Sequence, residues 1–562
     1  MGAHPVLKQK SNLSDQTLIA RSVPVVPRSR SRILALMVLM AFALVGGQLV
    51  RLAMEAEATS GLRVSMMSAS PATTLARPDI VDRNGRLFAT DVQLPSLYAD
   101  PLLIQDPDEA AETLVRLFPH HDVRELRRSL AEDGRRFVWV KRGLSPRMAQ
   151  TVHNLGLPGV SFVDEVRRTY PSGRLGGHVI GRVDIDNRGT AGIERYIDET
   201  GASEEAIGAR LSARAPVRLS LDMGVMHAVD DELAGAMKRY GASGAAGLVM
   251  DVNTGEIVAS VSRPGVDPAI VEEGLDPKRI DKVLAGTYEL GSIMKLVTIA
   301  MALEDGKTLD TMVDTTAPLT VGRHTIADLH PLGRPMTVAE VFVHSSNVGS
   351  GQLALAAGAE RQKAFLEKLG LWTPVGTEAA PAPLPQRPAV VGQAEQITMA
   401  FGHGLAVTPL QFASAAAGLL NGGKRITPTF LRRDPADGEP EAAPRLVSEH
   451  TSRMLRDLMR RNVTDPGGTG RRADVPGYNV GGKTGTAEMA VAGGYRKKSV
   501  IASFLGAFPA EAPRYLTLVM LFEPEGQKLA GGEITAGRNA APTTARIIER
   551  IAPLLGVATA GL

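Results

Sequence analysis

Three short polar motifs, Ser292-Ile293-Met294-Lys295, Ser345-Ser346-Asn347 and Lys483-Thr484-Gly485-Thr486, follow one another along a chain of 562 residues. Together they hold the groups needed for serine acyl transfer: a nucleophile, a base, a proton relay and a binding strand. They work only if the fold brings three distant segments to one place. Gly291-Ser292 precedes an apolar run, Ile293 to Leu303, so the serine is expected at a helix N-terminus. Residues i and i+3 share a helix face, which stacks Lys295 beside Ser292. The free N–H groups of a first turn stabilise negative charge. A lysine acting as base must lose its proton near neutral pH, which requires burial and a neighbouring cation. Lys483 can be that cation.

The second motif lies in a polar break, HSSNVGSG, within a helical region. Ser345 can relay a proton between Lys295 and a leaving amine, and Asn347 can hydrogen-bond a substrate amide. Taken alone, either of the first two motifs reads better as a helix cap or a Ser/Asn loop than as chemistry. The third is rarer and reads as an edge strand. There Gly485 lets substrate backbone approach closely. Lys483, Thr484 and Thr486 bind a terminal carboxylate, and the N–H groups of Thr486 and Ser292 form an oxyanion hole.

The stretch Gly477 to Thr484 also satisfies the phosphate-loop pattern GxxxxGK[ST], which needs an apolar strand before it and a helix after it. Arg471, Arg472, Asp474 and Pro476 break any strand upstream, and Gly485, Gly493 and Gly494 make a poor helix downstream. Eleven histidines show no metal-ligand spacing and cysteine is absent, so no metal or cofactor is expected. The net charge of +3 with no dense basic stripe argues against nucleic acid as a partner.

Residues Ile33 to Val50 form an apolar run with one polar side chain, Gln48. As a helix it spans roughly 27 Å, close to a bilayer core. The tail before it carries Lys8, Lys10, Arg21, Arg28, Arg30 and Arg32 against Asp15. This bias predicts a cytoplasmic tail (1–32), a single uncleaved anchor (33–52) and a body on the far side of the membrane. The run is longer than the apolar core of a cleavable leader.

The body divides at a change of pattern near Val217. Residues 53–216 are turn-rich, and their Arg and Asp motifs read as tight turns and buried ion pairs, which suits a non-catalytic pedestal. From 217 to 562 the pattern predicts a helix over Met223 to Tyr240, then a hairpin over Gly247 to Ser262 turning at Asn253-Thr254-Gly255. A helical insert follows, then paired strands Val500–Phe508 and Tyr515–Phe522 and a closing helix Ala541–Leu555. Residues 376–392 and 434–446 read as surface loops. The fold class is α/β of the α+β kind, an antiparallel sheet flanked by helices.

With the motifs placed, the chain resembles the class B penicillin-binding proteins. The resemblance rests on Arg77…Asp82-Arg83-Asn84-Gly85, Arg168-x-Tyr170-Pro171, Asp251-x-x-Thr254-Gly255-Glu256, the three-motif set and Val407-Thr408-Pro409-Leu410-Gln411. The phrases Tyr288-Glu289-Leu290-Gly291-Ser292 and Phe401-Gly402-His403-Gly404 look most like the cell-division branch, the penicillin-binding protein 3 type. The resemblance implies a D,D-transpeptidase in which Ser292 attacks the D-Ala-D-Ala end of a peptidoglycan stem peptide, releases D-Ala and passes the acyl group to an amine of a neighbouring strand. It also implies acylation by beta-lactams and a pedestal that docks division membrane proteins, including a polytopic glycan polymerase, at the septum. Pro78 and Leu290 depart from the family pattern, where glycine and proline are usual. The rival readings are a D,D-carboxypeptidase or beta-lactamase, and a division scaffold with little activity. Ser346 argues against class A beta-lactamases, which carry Asp there.

Overall fold

The computed structural model describes residues 77–132, 134–200, 215–322, 324–433, 445–491, 494–525 and 534–559, together with helical pieces at 37, 39–40 and 42–48. The chain divides into two units, Met1–Thr73 and Thr74–Leu562. In the first, the basic tail and half of the expected anchor lie outside the described residues. Among the described residues no helix is long and apolar enough to cross a membrane.

The second unit opens with strand β1 (Ile80–Val81). Its pedestal sheet is built on β2 (Leu87–Ala99), which pairs antiparallel with β3 (Val138–Lys141) and β4 (Val160–Thr169). A small core of Leu97, Leu114, Leu126, Val138 and Val140 lies between this sheet and helices Pro107–Leu117 and Val123–Leu130. Both helices begin on aspartate caps, Asp106 and Asp122, whose carboxylates accept from the first-turn N–H groups.

A buried charge network closes the pedestal around helix α1 (Gly192–Glu199). Arg168 binds Glu194 at 2.6 Å, Asp91 at 3.2 Å and the Pro78 carbonyl at 2.9 Å. Arg77 binds the other Glu194 oxygen at 2.9 Å, Asp198 at 2.5 Å and the Asn187 carbonyl at 3.0 Å. The side chains of Arg168 and Glu194 are 0% exposed. These are the ion pairs expected of the Arg77 and Arg168 motifs, and they are structural.

The chain then enters β5 (Val217–Arg218), which lies parallel to β1. Helix α2 (Met223–Tyr240) follows with the predicted bounds, capped by Asp222. Strands β6 (Gly244–Asp251) and β7 (Ile257–Arg263) form the predicted hairpin, its turn held by Asp251, which accepts from Asn253 and Thr254. Then come β8 (Tyr288–Glu289) and α3 (Lys295–Glu304). The helical insert supplies α4 (Val338–Val343) and α5 (Asn347–Ala357). After β9 (Ala406–Val407), which pairs with β8, come α6 (Pro409–Leu420) and α7 (Glu449–Thr464).

Strands β10 (Gly481–Val491), β11 (Gly494–Phe508) and β12 (Tyr515–Phe522) complete the sheet, and α8 (Ala540–Leu554) closes the domain. The sheet order is β10-β11-β12-β6-β7, antiparallel throughout, with β10 at one edge. Every residue of β12 and of α6 is buried, as their predominantly apolar sequences require, with Thr517, Gln411 and Ser414 the polar exceptions. Helices α2 and α8 pack together against the sheet. Residues 434–444 of the second expected loop lie outside the described residues.

The Asp82-Arg83-Asn84-Gly85 segment does more than turn the chain. Asp82 accepts from the N–H groups of Asn84 and Arg86 at 2.8 Å and from that of Met223, at the start of α2, at 3.1 Å. Arg83 binds Glu256 and Asn84 binds Asp222, each at 2.8 Å. This turn is therefore a seam between the pedestal sheet and the domain that follows.

Candidate active site

Ser292 lies in a single 3₁₀ turn, Gly291–Met294, that runs directly into α3. The sequence predicts an α-helical start here; the first turn is tighter than that, a common way for a helix to begin. Three backbones meet behind the serine. Gly291 has φ of 57°, and a Cβ on it would stand 2.6 Å from the Thr486 carbonyl oxygen. Gly402 has φ of 91°, and a Cβ there would stand 2.1 Å from the Gly291 carbonyl oxygen. The Gly291 N–H donates to the Gly402 carbonyl at 3.1 Å. Only glycine tolerates both the conformation and the approach. The YELGS and FGHG phrases thus lock the serine turn against β10. Leu290, two positions before the serine, is buried in the main core.

The fold brings the five expected catalytic side chains together. The Lys295 amine lies 2.9 Å from Ser292 Oγ, 3.1 Å from Ser345 Oγ, 2.6 Å from the Ser345 carbonyl and 2.8 Å from Asn347 Oδ1. From the other side, the Lys483 amine lies 2.9 Å from Ser345 Oγ and 3.2 Å from the Thr484 carbonyl. Both lysines are 0% exposed. Burial, and then the neighbouring Lys483 charge, push Lys295 well below the ordinary lysine range, while Asp328 pulls it back up. Burial alone pushes Lys483 down to about 7. A neutral Lys295 fits its surroundings: two N–H bonds serve the Ser345 and Asn347 carbonyl oxygens, leaving the lone pair for the Ser292 hydroxyl.

Ser345 occupies the turn between α4 and α5 with φ of 60°, the left-handed region. The turn is a Schellman closure: Ser346 N–H donates to Val341 at 2.9 Å and Ser345 N–H to Phe342 at 3.2 Å. Glycine usually fills this position, and a serine pays about 1–2 kcal/mol to do so. Ser345→Gly and Ser345→Ala lose the same hydroxyl, so comparing them isolates the strain. The glycine variant is expected to be the more stable by about 1–2 kcal/mol in urea unfolding. Equal midpoints would show an unstrained turn.

Asp328 had no signal in the sequence. It accepts from Ser346 Oγ at 2.6 Å, Asn347 N–H at 2.5 Å and Val348 N–H at 3.0 Å, capping α5 and fixing the second motif. Asn462, buried on α7, holds β10 from behind through the Gly482 carbonyl at 2.8 Å.

Two sequence expectations for the third motif change. What approaches Gly485 is the serine turn: a Cβ there would stand 2.6 Å from the Leu290 carbonyl oxygen and 2.5 Å from Ser503 Oγ. The space beside its Cα is filled by the protein's own atoms. The Thr484 hydroxyl, largely buried, donates to Thr469 Oγ1 at 2.7 Å, and Thr486 Oγ1 accepts from Ala536 N–H at 3.2 Å. Both hydroxyls therefore already have protein partners.

A serine at the base of an open sheet edge, flanked by two desolvated lysines and a bridging hydroxyl, defines a serine acyltransferase of the lysine-activated class. Residues 245–549 match the penicillin binding protein transpeptidase domain family, and residues 73–208 match the penicillin-binding protein dimerisation domain. The chain belongs to the penicillin-binding protein transpeptidase family, class B, in its cell-division branch. It is 39% identical to the "Probable peptidoglycan D,D-transpeptidase FtsI" of Caulobacter vibrioides, over 86% of this chain and 82% of that protein. Identity is 33% to the "Probable peptidoglycan D,D-transpeptidase PenA" of Neisseria gonorrhoeae, over 88% and 87%. It is 30% to the "Peptidoglycan D,D-transpeptidase FtsI" of Escherichia coli K12, over 84% and 83%.

Proposed function

We propose that Ser292, Lys295, Ser345, Asn347 and Lys483 carry out peptidoglycan D,D-transpeptidation, with Thr484, Gly485 and Thr486 forming the strand on which the stem peptide lies. The observation that carries this reading is the unbroken chain of contacts from Ser292 Oγ through Lys295 to Ser345 Oγ and Lys483, no link longer than 3.1 Å. The enzyme is a serine-type transpeptidase of the penicillin-binding class.

Neutral Lys295 takes the Ser292 proton as Oγ attacks the carbonyl of the penultimate D-Ala. The N–H groups of Ser292 and Thr486 hold the oxyanion. Ser345, polarised by Lys483, passes a proton to the departing D-Ala amine, and an ester on Ser292 remains. An acceptor amine then attacks the ester, its proton returns along the same route, and Ser292 is regenerated. Lys483 supplies charge toward the terminal carboxylate, and Asn347 orients the donor amide.

Residues 217–562 form the transpeptidase domain and 53–216 the pedestal. The N-terminal run anchors the chain in the inner membrane with the tail cytoplasmic and the body periplasmic, at the septum. There the pedestal docks division proteins, among them a polytopic glycan polymerase. The apolar run and the basic tail before it support the topology, and the division-branch relatives support the site of action. The pedestal, matched by the dimerisation family, argues against a stand-alone hydrolase.

Incubation with benzylpenicillin followed by intact-mass and peptide analysis tests the reading. One drug per chain, on the peptide containing Ser292, is the expected result. No adduct on folded protein would leave the scaffold reading, and turnover without accumulation would leave the hydrolase.

A further inference from the structure

Lys483 is fully buried, yet both of its oxygen neighbours, Ser345 Oγ and the Thr484 carbonyl, are neutral. Among the described residues no carboxylate forms an ion pair with it. An ammonium carries three N–H groups, so two oxygens leave one of them over. On a further side lies an aromatic ring: Lys483 Nζ stands over Phe342, 5.7 Å from the ring centroid. A cation in that position is attracted by the ring quadrupole, most strongly where water is excluded.

Phe342 is a fixed part of the fold. Its side chain is fully buried near the end of α4. Its carbonyl accepts the Ser345 N–H at 3.2 Å in the Schellman turn. One residue thus touches the relay serine through its backbone and Lys483 through its ring. Other ionisable groups surround this part of the site. Lys295 on α3 shares Ser345 Oγ, and Asp328 acts on Lys295. Arg460 on α7 binds Asp474 and the Val480 carbonyl. The His344 ring lies against Gly467, and Arg538 lies in the turn that meets Thr486. Glu289 on β8 accepts from the Gly404 N–H. The two anions in this set, Asp328 and Glu289, are engaged elsewhere. Burial brings Lys483 to about 7, so a modest attraction decides its protonation near neutral pH.

We propose that Phe342 is a positioning residue: its ring takes the place of an anion beside the Lys483 ammonium until a substrate carboxylate arrives, and so keeps that ammonium charged and directed at Ser345 Oγ. The inference rests on the transpeptidase reading above.

The pH profile of acylation by benzylpenicillin tests it, with second-order rates measured by mass spectrometry on the full chain. A charged Lys483 is required, so the rate falls as pH rises through its value, and this alkaline limb belongs to the free enzyme. Phe342→Leu keeps an apolar side chain and the backbone carbonyl but removes the ring. Its limb should move about one pH unit lower, so that the loss of rate grows with pH. Mono-, di- and trifluorophenylalanine at position 342 weaken the ring quadrupole in steps at nearly constant shape, and should move the limb in the same order. A limb that stays in place across the fluorinated series, or a loss of rate equal at every pH, would overturn the proposal. That series decides even where the leucine variant fails to fold. Failure of benzylpenicillin to acylate wild type at any pH would instead overturn the underlying transpeptidase reading.

Discussion

Lys295→Met is expected to lower the rate of acylation by benzylpenicillin about 10²–10⁴-fold while leaving the fold in place. The side chain is fully buried among four oxygen atoms, and methionine fills nearly the same volume. Lys295→Arg separates the two things the lysine does. Arginine keeps the positive charge but stays protonated, so it cannot accept the Ser292 proton. If the lysine is the base, arginine fails as badly as methionine. A Lys295→Arg rate within tenfold of wild type would reduce Lys295 to an electrostatic role. In wild type the acylation rate should rise as pH rises through the depressed Lys295 value, and neither variant should show that limb. Stability moves with the same sign. The unfolded lysine titrates near 10.5, so between the depressed value and 10.5 the unfolded chain holds more protons, and raising pH favours the folded state. At any pH below about 10.5 burial of the lysine is a penalty that methionine removes, full below the depressed value and shrinking as pH rises through the window. The methionine variant should therefore unfold no earlier than wild type near pH 7.

Glu194→Ala should destabilise the pedestal by about 3–5 kcal/mol. Glu194 is the shared anion of two buried arginines, and its removal leaves Arg77 and Arg168 with Asp91 and Asp198 as their carboxylates, beside backbone carbonyls. A desolvated guanidinium without its partner costs far more than the pair contributes when intact. The chain has two tryptophans, Trp139 in the pedestal and Trp372 in the transpeptidase domain, so single-tryptophan versions report the two parts separately in urea. The Trp139 transition should move to lower urea first. A shift of less than about 0.5 kcal/mol would mean that solvent or the remaining carboxylates neutralise the arginines.

Local signals in the sequence were strong where one physical rule acts alone. Helix α2 is bounded by an Asp cap and a closing Gly241, and its predicted limits match the observed ones. The Asp251–Gly255 turn and the largely apolar run of β12 are equally plain, because a turn residue or a continuous buried strand leaves a pattern in consecutive residues. The three motifs named the side chains that meet at the serine for the same reason. What escaped was decided by residues distant in the chain. Asp328 reads as an ordinary loop acid until α5 is placed over it. Gly485 reads as room for substrate until the Leu290 carbonyl is found in that space. The threonine hydroxyls of the third motif read as free ligands, but Thr469 and Ala536 lie against them. A motif states which group is present. Only packing states what that group already touches.

The parallel pairing of β1 with β5 has a mechanical consequence. Ile80 and Val81 are stitched alongside Val217 and Arg218, and Arg77, three residues earlier, is gripped by Glu194, Asp198 and the Asn187 carbonyl. Tension applied to the chain from its N-terminal side meets this clamp first. The load then spreads into Asp82, Arg83 and the start of α2 before it reaches the tip of the pedestal. Two strands pulled along their length share the force across all their bonds at once, so the junction resists as a shear joint and does not unzip. Force arriving through Arg83 and Glu256 enters the five-stranded sheet beside β7, at the edge opposite β10.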